Sequence, residues 1–185
     1  MKRSDSGTIY RIVFIAMMAA IVYVVTLFRF PFLGTKVHFA NAMCLLAGLL
    51  LGPLNGGLAA GLGSALYDAI GGGYDLVQCI ITFASKFLMA AVCAWLAGKA
   101  PKPGRFRLLS ACLAGALSYV ALYMLKTFVY QAFVYSYPMD AVWATMLAKL
   151  PGSLINAAAA VLGAPLFYAA VRPALAKNGI LEKLQ

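Results

Sequence analysis

The sequence predicts an all-α integral membrane protein with six transmembrane helices and both termini cytoplasmic, and three observations carry that expectation. Of the 185 residues, 64% are hydrophobic and 11% charged, with a mean hydropathy of +0.89. Soluble domains are roughly half apolar and one quarter charged. The apolar residues fall in runs approaching the ~20 that a helix needs to cross hydrocarbon. The 15 basic residues, against 5 acidic ones, sit in short segments between those runs. They do not form a solvated face with interleaved aromatics, so nucleic acid is not an expected partner and the lipid bilayer is.

The first span is expected near residues 8 to 28; it ends in Leu27-Phe28-Arg29 and is followed by further spans, so it reads as a retained helix and not a cleaved signal. A second near 40 to 52 and a third near 55 to 70 are separated only by Gly52-Pro53-Leu54-Asn55-Gly56-Gly57. They could be one interrupted segment, but about thirty residues is too long for one crossing, and a tight helical hairpin is the better reading. The fourth, fifth and sixth spans are expected near 76 to 98, 108 to 134 and 147 to 170, making residues 1 to 185 a single transmembrane domain.

Orientation follows from the basic residues of the short loops. With the N-terminus inside, Lys2, Arg3, Arg11, Lys99, Lys102, Arg105, Arg107, Arg172, Lys177 and Lys183 are cytoplasmic, and only Arg29, Lys36 and Lys149 are outside. Trp95 and Trp143 then fall near the two interfaces. Cys44, Cys79, Cys93 and Cys112 form no C-x-x-C pair and read as buried thiols.

Polar residues inside the spans mark candidate function, since ionisable groups at membrane depth cost at least ~2.5 kcal/mol. Gln78, Thr82 and Lys86 recur every four residues, with Ser85 beside them, and so share one helix face. Tyr119, Tyr123, Lys126, Thr127 and Tyr130 share another, as do Ser64, Tyr67 and Asp68. Ser153 and Asn156 lie three apart beyond Lys149. The expected topology brings these faces together in the outer half, giving a cavity for a small polar solute with a ring. Each group has a plainer reading: Lys126 and Lys86 can snorkel, Asp68 can be a loop charge, and the tyrosines can be interface or packing residues. The case rests on convergence.

The first outer loop, residues 28 to 39, is aromatic-rich and holds the sole histidine, His38. It reads either as a lid, with His38 or Asn41 touching solute, or as an interfacial hairpin. No second His or Cys stands at ligand spacing from His38, so no metal is expected. Small-x-x-x-small pairs, Ala16 with Ala20 and the glycines Gly48, Gly52, Gly57 and Gly61, permit close helix approach. The glycines suit packing within the chain. Ala16 and Ala20 lie on an otherwise aliphatic helix that is open to another subunit.

No Walker A sequence is present, so the chain has no ATPase site of its own. Ser64 has no histidine on a neighbouring span, and there are no paired carboxylates, so no catalytic residues and no cofactor are expected. Residues 37 to 53, VHFANAMCLLAGLLLGP, followed by GGLAAGLGSALYD at 56 to 68 and TFASKF at 82 to 87, resemble the S components of energy-coupling factor (ECF) transporters, in particular the riboflavin-type branch. The LPGSLIN stretch at 150 to 156 adds weaker support, and Ala40-Asn41 departs from the Gly-Asp or Gly-Asn expected after the histidine.

The resemblance implies a substrate-capturing subunit for a vitamin or related micronutrient, with riboflavin first and a pyridoxine-like vitamer, a thiamine precursor or a queuosine precursor as alternatives. Its implied partners are a membrane T subunit, met by Ala16 and Ala20, and two cytoplasmic ATPases. It also implies that Lys86 stands at the position of a lysine that follows the T-F motif. Two other classes remain open, a stand-alone small-solute permease and, behind it, a small integral membrane enzyme.

Overall fold

The computed structural model describes residues 3–32, 35–98 and 104–184. Lys2, Lys99 and Lys102, which enter the orientation count above, lie outside the described residues. Helix α1 (Arg3–Leu27) leads into strands β1 (Phe30–Phe32) and β2 (Thr35–Val37). Helices α2 (Ala40–Tyr67), α3 (Leu76–Ala97), α4 (Arg105–Val129), α5 (Met139–Lys177) and the short α6 (Leu181–Leu184) follow. Single π-helical turns, Asp68–Gly72 and Tyr130–Val134, extend α2 and α4. Among the described residues, five helical stretches are long and apolar enough to cross a membrane: Gly7–Leu27, Ala40–Gly72, Leu76–Ala97, Arg105–Val134 and Met139–Lys177.

The second of these is not straight. Gly52 has φ +82° and ψ −178° inside α2 and is followed by Pro53. That backbone is open to glycine and strained for other residues, and proline then removes a helix donor. Past this point the chain doubles back: Cys44 Sγ and Ser64 Oγ stand 3.9 Å apart, whereas twenty residues of straight helix would separate them by about 30 Å. Both ends of α2 therefore reach the same end of the bundle, as a helical hairpin requires.

Two features differ from expectation. The loop after α1 is an antiparallel hairpin, with Phe30 opposite Val37 and Phe32 opposite Thr35; its aromatic and β-branched residues suit strands, although the expected fold was wholly helical. Helix α5 runs over 39 residues, not 147 to 170. Asp140 interrupts the apolar run and hid its first turns, but an acidic residue in the first turn is a good helix start. At 1.5 Å per residue it is about 58 Å long, so its ends project beyond a hydrocarbon core of ~30 Å.

The arm of α2 from Ala40 to Leu51 is buried throughout and forms the centre of the bundle. It packs with Met18, Val22, Met89, Cys93, Cys112, Ala116 and Ala160 in one continuous core. All four cysteines are free and buried, as expected. At the opposite end from the hairpin, Arg107 Nε donates to Leu96 O at 3.0 Å and ties the start of α4 to the last turn of α3.

Candidate functional site

The hairpin end of the bundle encloses a cavity of about 420 Å³, within the usual range of small-molecule sites. All five long helices and the β-hairpin contribute to its wall. Thr26 and Arg29 come from the end of α1 and its exit, Pro31 and Lys36 from the β-hairpin, and His38, Ala40 and Asn41 from the entry to α2. Ser64, Tyr67, Asp68 and Tyr74 come from the returning arm and its turn, and Thr82, Ser85 and Lys86 from α3. Tyr119, Tyr123 and Lys126 project from α4, and Lys149, Ser153 and Asn156 from α5.

The polar faces read from the helical spacing thus meet at one place. Lys86, Asn156, Thr82, Tyr123, Lys126, Asp68, Tyr67, His38 and Asn41 all line it. Gln78 and Tyr130 do not. Gln78 is engaged in starting α3: its backbone N–H donates to Asp75 Oδ1 at 2.8 Å and its Nε2 to Asp75 Oδ2 at 2.9 Å, a variant of the capping box that a D-x-x-Q sequence announces. Tyr130 opens the π turn and packs against Tyr135, ring centroids 6.1 Å apart. It keeps the helical register with Lys126, whose Nζ lies 5.9 Å from its ring centroid, but stands one turn beyond the cavity lining. Arg29, Lys36 and Lys149 read as ordinary outer charges in the sequence, yet all three face the cavity. The signal for Lys149 is present in retrospect, one helical turn before Ser153 and two before Asn156.

Lys86 is the centre of the site. It is 4% exposed, its Nζ donates to Asn41 Oδ1, and it stands 3.5 Å from the centroid of the Tyr119 ring. A snorkelling lysine would reach an interface; this one is held in the wall by a carboxamide and a ring face. Nearer the mouth, Arg29 lies 4.7 Å over Tyr67, and Lys126 lies 5.7 Å from Tyr74. Burial raises the Tyr74 hydroxyl, and the carboxylate of Asp68 adds to this, so its phenol stays protonated and able to donate.

The hairpin is fastened over the cavity by one side chain. Asn156 accepts from the His38 backbone N–H at 2.9 Å and donates from Nδ2 to Lys36 O at 2.7 Å, tying β2 to α5 across nearly 120 residues of sequence. Asn156, expected to touch solute, lines the cavity, and its carboxamide also holds the loop. Asn156→Ala is expected to speed exchange of the His38 amide proton roughly 10- to 100-fold, the range set by losing one or two buried hydrogen bonds. Hydrogen-exchange mass spectrometry over residues 30 to 38 reads this directly, and unchanged protection there would sink the fastening role.

His38 is held neutral. Burial pushes its pKa down to about 3, and the charges of Lys86 and then Arg29 act in the same direction. The unfolded chain takes up a proton near pH 6.5 while the folded chain does not, so stability is complete above about pH 6.5 and declines as pH falls toward 3. The expected slope from this group is up to about 1.4 kcal/mol per pH unit. His38→Gln should flatten the dependence of Tm on pH between 6.5 and 4; an unchanged slope would place the sensitivity elsewhere.

A polar, aromatic-walled cavity roofed by a β-hairpin at one end of an apolar helical bundle defines a solute-binding membrane protein. The family model described as "ECF-type riboflavin transporter, S component" matches residues 6–173, and the chain belongs to that family. It is a multi-pass membrane subunit of an ECF transport system that captures substrate for vitamin uptake, and not an enzyme. A solved structure described as the S component of a bacterial ECF transporter superposes with a TM-score of 0.63 at 18% identity, covering 89% of this chain and 96% of that one. At that identity the likeness is one of fold. No curated protein matches the chain in sequence.

Proposed function

We propose that the chain captures a ring-bearing micronutrient in the hairpin-end cavity, with riboflavin the first candidate, and passes it inward in complex with a membrane T subunit and two ATPase subunits. The single observation that carries the reading is the convergence of polar and aromatic groups from every long helix on one roofed cavity. In this reading Lys86, Thr82, Asn41, His38, Asp68, Lys126, Tyr67 and Tyr123 face the solute, and Asn156 holds the lid.

The fold-back at Gly52 supports six crossings, with the second candidate stretch crossing twice. Both termini then lie on the cytoplasmic side and the cavity opens outward, the arrangement required for uptake. The absence of a Walker A sequence from the chain makes ATP hydrolysis the work of its partners.

The partner surface is proposed on α1. Ala16 and Ala20 are exposed, whereas Ala19 between them is buried and packs toward α2. Two small exposed residues one turn apart allow a foreign helix to approach closely. Leu at both positions is expected to abolish co-purification with a T subunit while the Tm of the isolated chain stays within about 2 °C, since neither side chain supports the core. Co-purification that survives would put the interface elsewhere.

A further inference from the structure

The cavity is unevenly charged. Arg29, Lys36, Lys86, Lys126 and Lys149 line it, against the single carboxylate of Asp68. The contacts that hold the inner members are neutral ones: Lys86 meets Asn41 and the Tyr119 ring, Arg29 the Tyr67 ring, and Lys126 the Tyr74 ring. A cation this deep without a counter-charge is unfavourable in a bilayer-embedded protein. Its retention makes sense where something else supplies the charge. A second polar atom lies beside this space: His38 lines the cavity, and its Nδ1 is buried with no hydrogen-bond partner among the described residues. Buried nitrogens are rarely left unpaired without a reason.

Building on solute capture as the function, we propose that within the ring-bearing class the cavity favours a solute that carries an anionic group, a carboxylate or phosphate, so that among flavins the phosphate ester is held more tightly than riboflavin itself, and that this group binds at Lys86 within the basic cluster. A neutral ring compound fits the tyrosine walls but leaves the deepest cation uncompensated. An anion neutralises it and is drawn in by the focused positive field of the mouth. Arginine and lysine are suited to such oxygens, Arg29 by its planar fork and Lys86 as a compact point charge.

The test compares matched pairs that differ by one phosphate: riboflavin with flavin mononucleotide, pyridoxal with pyridoxal 5′-phosphate, and thiamine with thiamine monophosphate. Each is titrated calorimetrically into the full chain in phosphatidylcholine nanodiscs. In at least one pair the phosphorylated member should bind about tenfold tighter or more, a conservative allowance for one partly desolvated ion pair. The advantage should shrink at about 0.5 M salt and vanish in Lys86→Gln, which keeps a donor for Asn41 and removes the charge. Equal or tighter binding of the neutral member in every pair that binds would overturn the proposal and leave solute capture standing. Displacement of the anionic member by phosphatidylglycerol placed in the nanodisc would assign the site to lipid headgroups and overturn it too. No binding of any member up to about 1 mM would do the same, and solute capture would then be judged by co-purification with the T subunit and ATPases, which needs no ligand.

Discussion

Lys86→Met should weaken solute capture roughly 100-fold or more without lowering the Tm of the ligand-free chain. Met keeps the length and apolar volume of the lysine stem and removes the charge. Truncating one side of a buried charged contact costs about 2–5 kcal/mol of binding, whereas replacing a buried, uncompensated ion by an apolar residue of similar size is neutral or stabilising. Asn41, only 2% exposed, loses the donor that meets its Oδ1, which offsets part of any gain. Lys86→Met/Asn41→Leu removes both halves and should be the more stable variant. Thermal unfolding and equilibrium binding on the same preparations separate the two effects. A fall in Tm parallel to the fall in affinity would make Lys86 a packing residue and remove it from the site.

Gly63→Ala is expected to weaken the fold strongly, at the contact between α1 and the returning arm of α2. A Cβ at Gly63 would lie 2.3 Å from the carbonyl oxygen of Ala19 and 2.8 Å from Val22 Cβ. The first of these is backbone, which cannot rotate away, so α1 would have to be pushed off the returning arm of α2. Overpacking of this kind costs about 1–3 kcal/mol where side chains can adjust, and here the upper end applies. A loss of roughly 6–12 °C in Tm follows for a chain of this size. Gly7→Ala is the matched control, since a Cβ there meets nothing within 4 Å, and it should leave Tm unchanged or slightly raised through helix propensity. A Gly63→Ala variant as stable as the control would mean that α1 and α2 are not packed as described.

The parts of this protein that could be read from its sequence are those governed by spacing. The four-residue recurrence of Thr82 and Lys86 and the three- and four-residue steps through Tyr119, Tyr123 and Lys126 fix which side chains share a helix face. A charged face inside a membrane span is driven to point into the protein, so the convergence of Lys86, Lys126 and Asp68 on one cavity follows from elementary cost. The Gly52-Pro53 break likewise announced the fold-back, because glycine supplies the positive φ and proline withholds a donor.

What spacing could not show was the use already made of particular side chains. Gln78 carries the period of its face yet is held by Asp75 at the helix start. Tyr130 keeps its face, with Lys126 Nζ 5.9 Å from its ring, yet lies a turn beyond the cavity and packs against Tyr135. Asn156 is bonded to the backbone of residues 120 and 118 positions away, a tertiary fact that no local pattern encodes. The extent of α5 was obscured for a different reason. Counting from charges truncates a helix whose ends project beyond the apolar run, and Asp140 lies in its first turn. Arg29 and Lys36 were read as loop charges because their direction is set by the β-hairpin, whose pairing depends on a turn the apolar count passes over.

Native mass spectrometry of the purified full chain tests solute capture most directly. A retained small molecule of vitamin size is expected on the unaltered chain and is expected to be lost from Lys86→Met, with the protein otherwise folded. A chain that carries no such molecule and takes up none from a vitamin mixture, or one that retains it equally well without Lys86, would contradict capture at this cavity.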